Sequence, residues 1–151
     1  MIGQMGGFQV SVFDYTYGSG KNSVTQTLTC FSQGADLPPF ELRPENIFDK
    51  IGDAIVNNDI DFDSHPEFSR RFHLRSPDEV RVRMLFNPGL LTYLEQIPPD
   101  KKWHIEASGP SLVIYRHRWP APAVEIQALL NDASALARMI FQSAGISVAA
   151  M

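Results

Sequence analysis

The alternation of apolar and polar side chains changes period several times along residues 8–142, and each change marks an element. Residues 8–17, FQVSVFDYTY, are rich in β-branched and aromatic types and read as a strand. Val10 and Val12 fall on one parity and Phe13, Tyr15 and Tyr17 on the other, so this strand is expected to be covered on both faces. The glycine loop at 18–22 leads into a second β-type run, SVTQTLTCF, and the pair reads as a β-hairpin. Val24, Leu28 and Cys30 alternate there with threonines at 25, 27 and 29, which predicts that the valine, leucine and cysteine face inward. After Pro38 and Pro39 the period lengthens. Pro44 suits a first helical position, and Ile47, Phe48, Ile51 and Ile55 share one helical face that Asn57 and Asn58 end.

From residue 59 the two-residue period returns. DIDFD reads as an extended segment, and FSRRFHL after Pro66 as a strand with Phe68, Phe72 and Leu74 on its apolar side. Ser76-Pro77-Asp78-Glu79 predicts a helix capped by Ser76 and closed by Glu79. Asn87-Pro88 repeats the signal for a helix carrying Leu90, Leu91 and Leu94. Residues 103–107 and 111–116 read as a second hairpin around Gly109-Pro110. From Pro122, Ile126, Leu129, Leu130, Ala133, Leu136, Ala137, Ile140 and Phe141 trace one long amphipathic helix. The order ββ-α-β-α-ββ-α predicts an α+β fold. Its antiparallel sheet is built from two hairpins plus a middle strand, with helices packed on one face. Residues 1–7 read as a flexible lead-in, 8–142 as a single domain and 143–151 as a flexible tail.

Composition narrows the function classes. The chain has 151 residues, net charge −4 and an ordinary apolar fraction of 44%. A global basic excess, the usual mark of a nucleic-acid domain, is missing, which argues against that partner. The one cysteine, Cys30, can form neither an internal disulfide nor a cysteine zinc site, and its apolar neighbours predict a small core residue. No stretch approaches the ~20 apolar residues of a membrane span. A cytoplasmic location is the expectation, with any membrane attachment coming from a segment absent from this chain.

The candidate chemistry lies between residues 59 and 83. Asp59, Asp61 and Asp63 share one parity and, with His65, offer oxygen and nitrogen donors for a divalent cation. DIDFDS lacks the glycine and glutamate of a calcium loop. Arg71, His73 and Arg75 line one parity of the next segment and offer an anion site within the arginine-rich stretch 70–83. The alternative is structural: carboxylates opposing guanidiniums on neighbouring strands, each pair contributing about 0.2–1 kcal/mol. YGSGKNS lacks the first glycine, the following Ser or Thr and the helix of a phosphate loop, so it reads as a turn. The histidines show no metal spacing, and no cofactor motif is present. A groove lined by Tyr15, Tyr17, Trp103 and Tyr115 competes with the reading of these aromatics as core.

The runs VSVFDYTYGSGKNSVTQTLTCF, LPPFELRPE, DIDFDSHPEFSRRFHLRSPDEVRVRMLF and GPSLVIYR resemble a family of uncharacterised bacterial proteins, over most of residues 10–118. Members often carry transmembrane helices ahead of this domain and have no assigned activity. The resemblance implies a domain held near the inner face of a membrane, and implies no catalytic residue. The expectation is therefore a non-enzymatic interaction or sensory domain that binds a protein partner or a second copy of itself. The alternatives are a metal-assisted hydrolase using Asp59, Asp61, Asp63 and His65, and an anion or lipid-headgroup binder using the arginines.

Overall fold

A computed structural model describes residues 2–5, 7–45 and 59–145. Among them, five strand spans form one antiparallel sheet: β1 (Ile2–Met5), β2 (Phe8–Tyr17), β3 (Val24–Pro44), β4 (Phe72–Arg75) and β5 (Trp103–Arg116). Four helices accompany them: α1 (Pro66–Arg71), α2 (Glu79–Leu85), α3 (Pro88–Gln96) and α4 (Ile126–Ser143). The α+β class, the antiparallel sheet and the helices packed against it are as the periodicity predicts. The helix expected after Pro44 lies outside the described residues, and Pro44 itself ends β3. Residues 2–5, read in the sequence as a lead-in, pair with Phe8–Ser11 as an edge strand.

Both long spans turn corners. β3 pairs with β2 along Val24–Ser32 and with β4 along Glu41–Pro44. Its pairing with β5 shifts register between Ser32 and Leu37, and again between Leu37 and Phe40. β5 doubles back at Gly109-Pro110. In a straight strand rising ~3.3 Å per residue, His104 and Tyr115 would lie roughly 36 Å apart. Their rings instead stack at 4.6 Å, and the two residues are equidistant from the turn. Gly109 has φ +60°, the conformation that a glycine opening a type II′ turn supplies. The second hairpin is thus present inside one continuous span, because Gly109 stays in register with Leu37.

The expected middle strand is shorter than its pattern implied. Residues 66–71 are helical, with Pro66 in the first turn and Glu67 paired to Arg70, so only Phe72–Arg75 is strand. The 59–62 segment lies beside β4, where Ile60 N donates to Leu74 O at 2.8 Å. The cap of α2 is Asp78, which accepts from Arg81 N, rather than Ser76. Ser76 Oγ donates to Pro39 O (2.5 Å) and accepts from Asp78 N (2.9 Å), tying that turn to β3. Asn87 caps α3 as its Asn-Pro signature suggests.

One face of the sheet meets the helices. Phe8, Val10, Val12, Phe31, Leu42, Leu74, Ile105, Leu112 and Ile114 are buried with Leu129, Leu130, Ala133, Leu136, Ala137, Ile140 and Phe141 of α4. Phe8 packs on Phe141 at 5.2 Å and edge-on to Phe31 at 5.8 Å. Two parity expectations reverse here. In β3 the buried parity carries Thr27, Thr29 and Phe31, while Val24, Leu28 and Cys30 are only half-buried. The threonines tolerate this because their hydroxyls are satisfied: Thr29 Oγ1 donates to Ile114 O (2.5 Å) and Thr27 Oγ1 to Asp14 Oδ1 (2.6 Å). In β2 only Phe8, Val10 and Val12 are covered. Phe13, Tyr15 and Tyr17 remain 45%, 48% and 39% exposed, so that strand is not sandwiched.

This one-sided burial predicts an asymmetry. Phe141→Ala loses about 3–5 kcal/mol of unfolding free energy, whereas Tyr17→Ala changes it by about 0.5 kcal/mol or less. Urea denaturation of the two variants measures the contrast; equal losses would contradict it.

Candidate functional site

On the helix-free face, register sets the side chains in rows. Phe13 lies opposite Leu28 and Leu28 opposite Tyr115; Cys30 lies opposite Val113. Towards β4, Glu41 lies directly opposite Glu106 on one side and Arg75 on the other. The face is therefore apolar and aromatic at its β2 side and charged at its β4 side. Between these regions opens a solvent-accessible cleft of about 650 Å³. Pro39, Phe40, Pro77, Ala107 and Val113 form its apolar walls, and Glu41, Arg75, Ser76, Glu106, Ser108 and Ser111 its polar positions.

Glu41, His104 and Glu106 converge at this cleft, with one donor atom from each lying within 4.8 Å of the others. His104 is 8% exposed, and both of its ring nitrogens are buried without a hydrogen bond. Its Nε2 points at Glu41 Oε1 from 3.6 Å. Arg43 Nε stands equally far from the same oxygen. The polar contact with His104, reinforced by the neighbouring Arg43 and Arg75 guanidiniums, holds the Glu41 carboxyl below the usual range despite its partial burial. Tyr115 stacks on His104 and donates its hydroxyl to Glu106 Oε2 at 3.3 Å. Burial, then the neighbouring Glu106 charge, pushes the Tyr115 phenol far up, so it stays a protonated donor. Burial also raises the Cys30 thiol, the reverse of what a nucleophile needs.

The residues singled out in the sequence are placed elsewhere. Asp59 accepts from His73 Nδ1 and lies 3.5 Å from Arg75 Nε, so this part of the acid–base segment does pair across neighbouring extended chains. Asp61 and Asp63 are exposed, and Asp61 offers its backbone oxygen to Arg83. His65 is held between Ser64 Oγ (2.8 Å) and Thr92 Oγ1 (3.1 Å). Asp59, Asp61, Asp63 and His65 are thus not brought together as a cation cage. Arg71 donates to Glu95 O and Ile97 O, both at 2.7 Å, satisfying carbonyls at the end of α3. Arg71 is accordingly separated from His73 and Arg75, which face Asp59, and the three form no common anion site. Tyr15 and Tyr17 stack on the open face at 6.0 Å, whereas Trp103 is buried.

Glu41 and Glu106 escaped the sequence reading because their meeting depends on pairing between distant spans. A signal existed in His104-x-Glu106, since residues two apart on a strand share a face. Among the described residues no helix is long and apolar enough to cross a membrane.

The depressed Glu41 carboxyl gives stability a pH dependence of definite sign. A carboxylate whose folded-state pKa lies below the unfolded value of 4.5 adds stability above that pH and loses it as pH falls through the folded value. Urea midpoints of the wild type should exceed those of Glu41→Gln at pH 7, and the gap should narrow as the pH is taken progressively below 4.5. A gap constant with pH would mean that Glu41 titrates as in the unfolded chain.

No family model and no curated protein matches the chain. Among solved structures, the crystal structure of the mycobacterial trehalose monomycolate transport factor A, TtfA, is similar in fold. It has a TM-score of 0.56 and 11% sequence identity, over 99% of this chain and 74% of that one. At that identity the likeness is one of architecture.

Proposed function

We propose that this chain is a non-enzymatic binding domain that seats the apolar part of an amphipathic, lipid-like molecule in the cleft on the open sheet face. The carrying observation is the cleft itself: about 650 Å³, walled by Phe40, Ala107 and Val113, with Glu41, Arg75 and Glu106 at one side to meet a polar head. Its size falls within the roughly 300–1,000 Å³ of small-molecule pockets. The fold neighbour, a mycobacterial trehalose monomycolate transport factor, supports this reading. In this proposal a segment outside the chain holds the domain near the inner face of a membrane, as the family resemblance implies.

The test uses EDTA-treated protein titrated with the sucrose monoesters of octanoic, decanoic and lauric acid and with dansyl-labelled undecanoic acid, followed by calorimetry and fluorescence. Binding should tighten about fourfold per added methylene, as burial of about 0.8 kcal/mol per CH₂ requires. Ser111→Trp, which fills the cleft from an exposed position, should weaken binding tenfold or more, a loss of at least about 1.4 kcal/mol. Affinity independent of chain length, or unchanged by Ser111→Trp, would falsify the proposal.

A second reading rests on a separate observation. Phe13, Tyr15 and Tyr17 form an exposed aromatic row that suits a protein partner or a second copy of the chain. Light scattering should then show a concentration-dependent dimer that Tyr15→Lys returns to monomer; a wild-type monomer at every concentration removes the homodimer.

A further inference from the structure

We infer that Glu41, His104 and Glu106 form a site for one divalent transition-metal ion, with zinc as its representative, at the polar end of the cleft. Three observations converge. Glu41 and Glu106 lie directly opposite each other across β3 and β5, an arrangement of like charges that is unfavourable unless something positive sits between them. Arg43 and Arg75 stand on the Glu41 side, whereas the partner of Glu106 among the described residues is the neutral Tyr115 hydroxyl. Next, His104 is more than nine-tenths buried, makes no hydrogen bond through either nitrogen, and aims Nε2 into the gap. A buried imidazole left this way is costly unless a further ligand completes it.

Finally, the spacing suits a metal. Zinc ligands at about 2.0–2.2 Å place neighbouring donors about 3.4 Å apart in a tetrahedron. His104 and Glu41 already stand at 3.6 Å, all three donors lie within 4.8 Å of one another, and Glu106 is exposed, so its carboxylate is not locked by packing. One imidazole with two carboxylates selects a borderline cation such as Zn²⁺ or Mn²⁺ over Mg²⁺, which prefers an all-oxygen, octahedral shell. Because Glu41 and Glu106 line the cleft, the fourth position opens towards it, where water or a ligand oxygen completes the shell. Tyr115 orients the set by stacking on His104 and bonding Glu106.

The experiment takes untagged, EDTA-treated protein and titrates ZnCl₂, MnCl₂ and MgCl₂ by calorimetry, with thermal unfolding in parallel. No amphiphile is present, so failure here and failure of the cleft assay are separate outcomes. One Zn²⁺ per chain should bind, raising Tm by about 5–10 °C at a hundredfold excess over Kd. Glu106→Gln, at an exposed position that leaves the core untouched, should weaken Zn²⁺ tenfold or more, as should Glu41→Gln, while His65→Ala leaves binding unchanged. The site is overturned if no stoichiometric binding appears at ~1 mM zinc, if Glu106→Gln binds as the wild type does, or if Mg²⁺ binds more tightly than Zn²⁺.

Discussion

Helix α4 buries its apolar stripe against a single face of the sheet, and the remaining architecture follows from that contact. Phe141 and Ile140 reach Phe8 and its neighbours, and the short helices α2 and α3 add Val82, Leu85, Leu90, Leu91 and Leu94 to the same core. Burial of this kind is roughly proportional to the area withdrawn from water. It therefore selects whichever strand parity can be withdrawn most completely, even where that parity includes threonines. Thr27 and Thr29 sit beneath the helices because register groups them with Phe31, Val12 and Ile114, and because each hydroxyl finds an acceptor.

The opposite face takes its character from what the helices leave uncovered. Corners in β3 and β5 bring residues far apart in sequence into one patch: Glu41 beside Glu106, His104 on Tyr115, and Val113 beside Cys30. The cleft opens where the register of β3 and β5 shifts, and its apolar walls lie next to a compact set of charges. A cleft of mixed chemistry on an otherwise regular sheet is the natural place for recognition.

The segment 59–75 teaches the converse lesson. Its alternating acids and bases had the look of chemistry, and the structure uses them as fasteners. Asp59 ties to His73 and Arg75, Arg71 closes the end of α3, and His65 bridges Ser64 and Thr92. Composition placed charge there correctly, but periodicity misassigned part of the element. FSRRF alternates like a strand, yet Pro66, the Glu67–Arg70 pair and the carbonyls awaiting Arg71 favour one helical turn.

What the sequence by itself determined was local: the first hairpin turn at glycine 18, the Asn87 cap, the turn at Gly109-Pro110 and the long stripe of α4. These depend on residues within a few positions of one another, so dihedral preference and side-chain period suffice to specify them. Which face of β2 and β3 is buried, and which carboxylates meet, only the tertiary structure decided. In β2 both parities are apolar, and in β3 the rival parities are valine–leucine–cysteine and threonine–phenylalanine, so short-range pattern leaves the choice nearly even. The choice is made by register between strands distant in sequence and by the helix that lands on them, and a two-residue period does not encode those long-range energies.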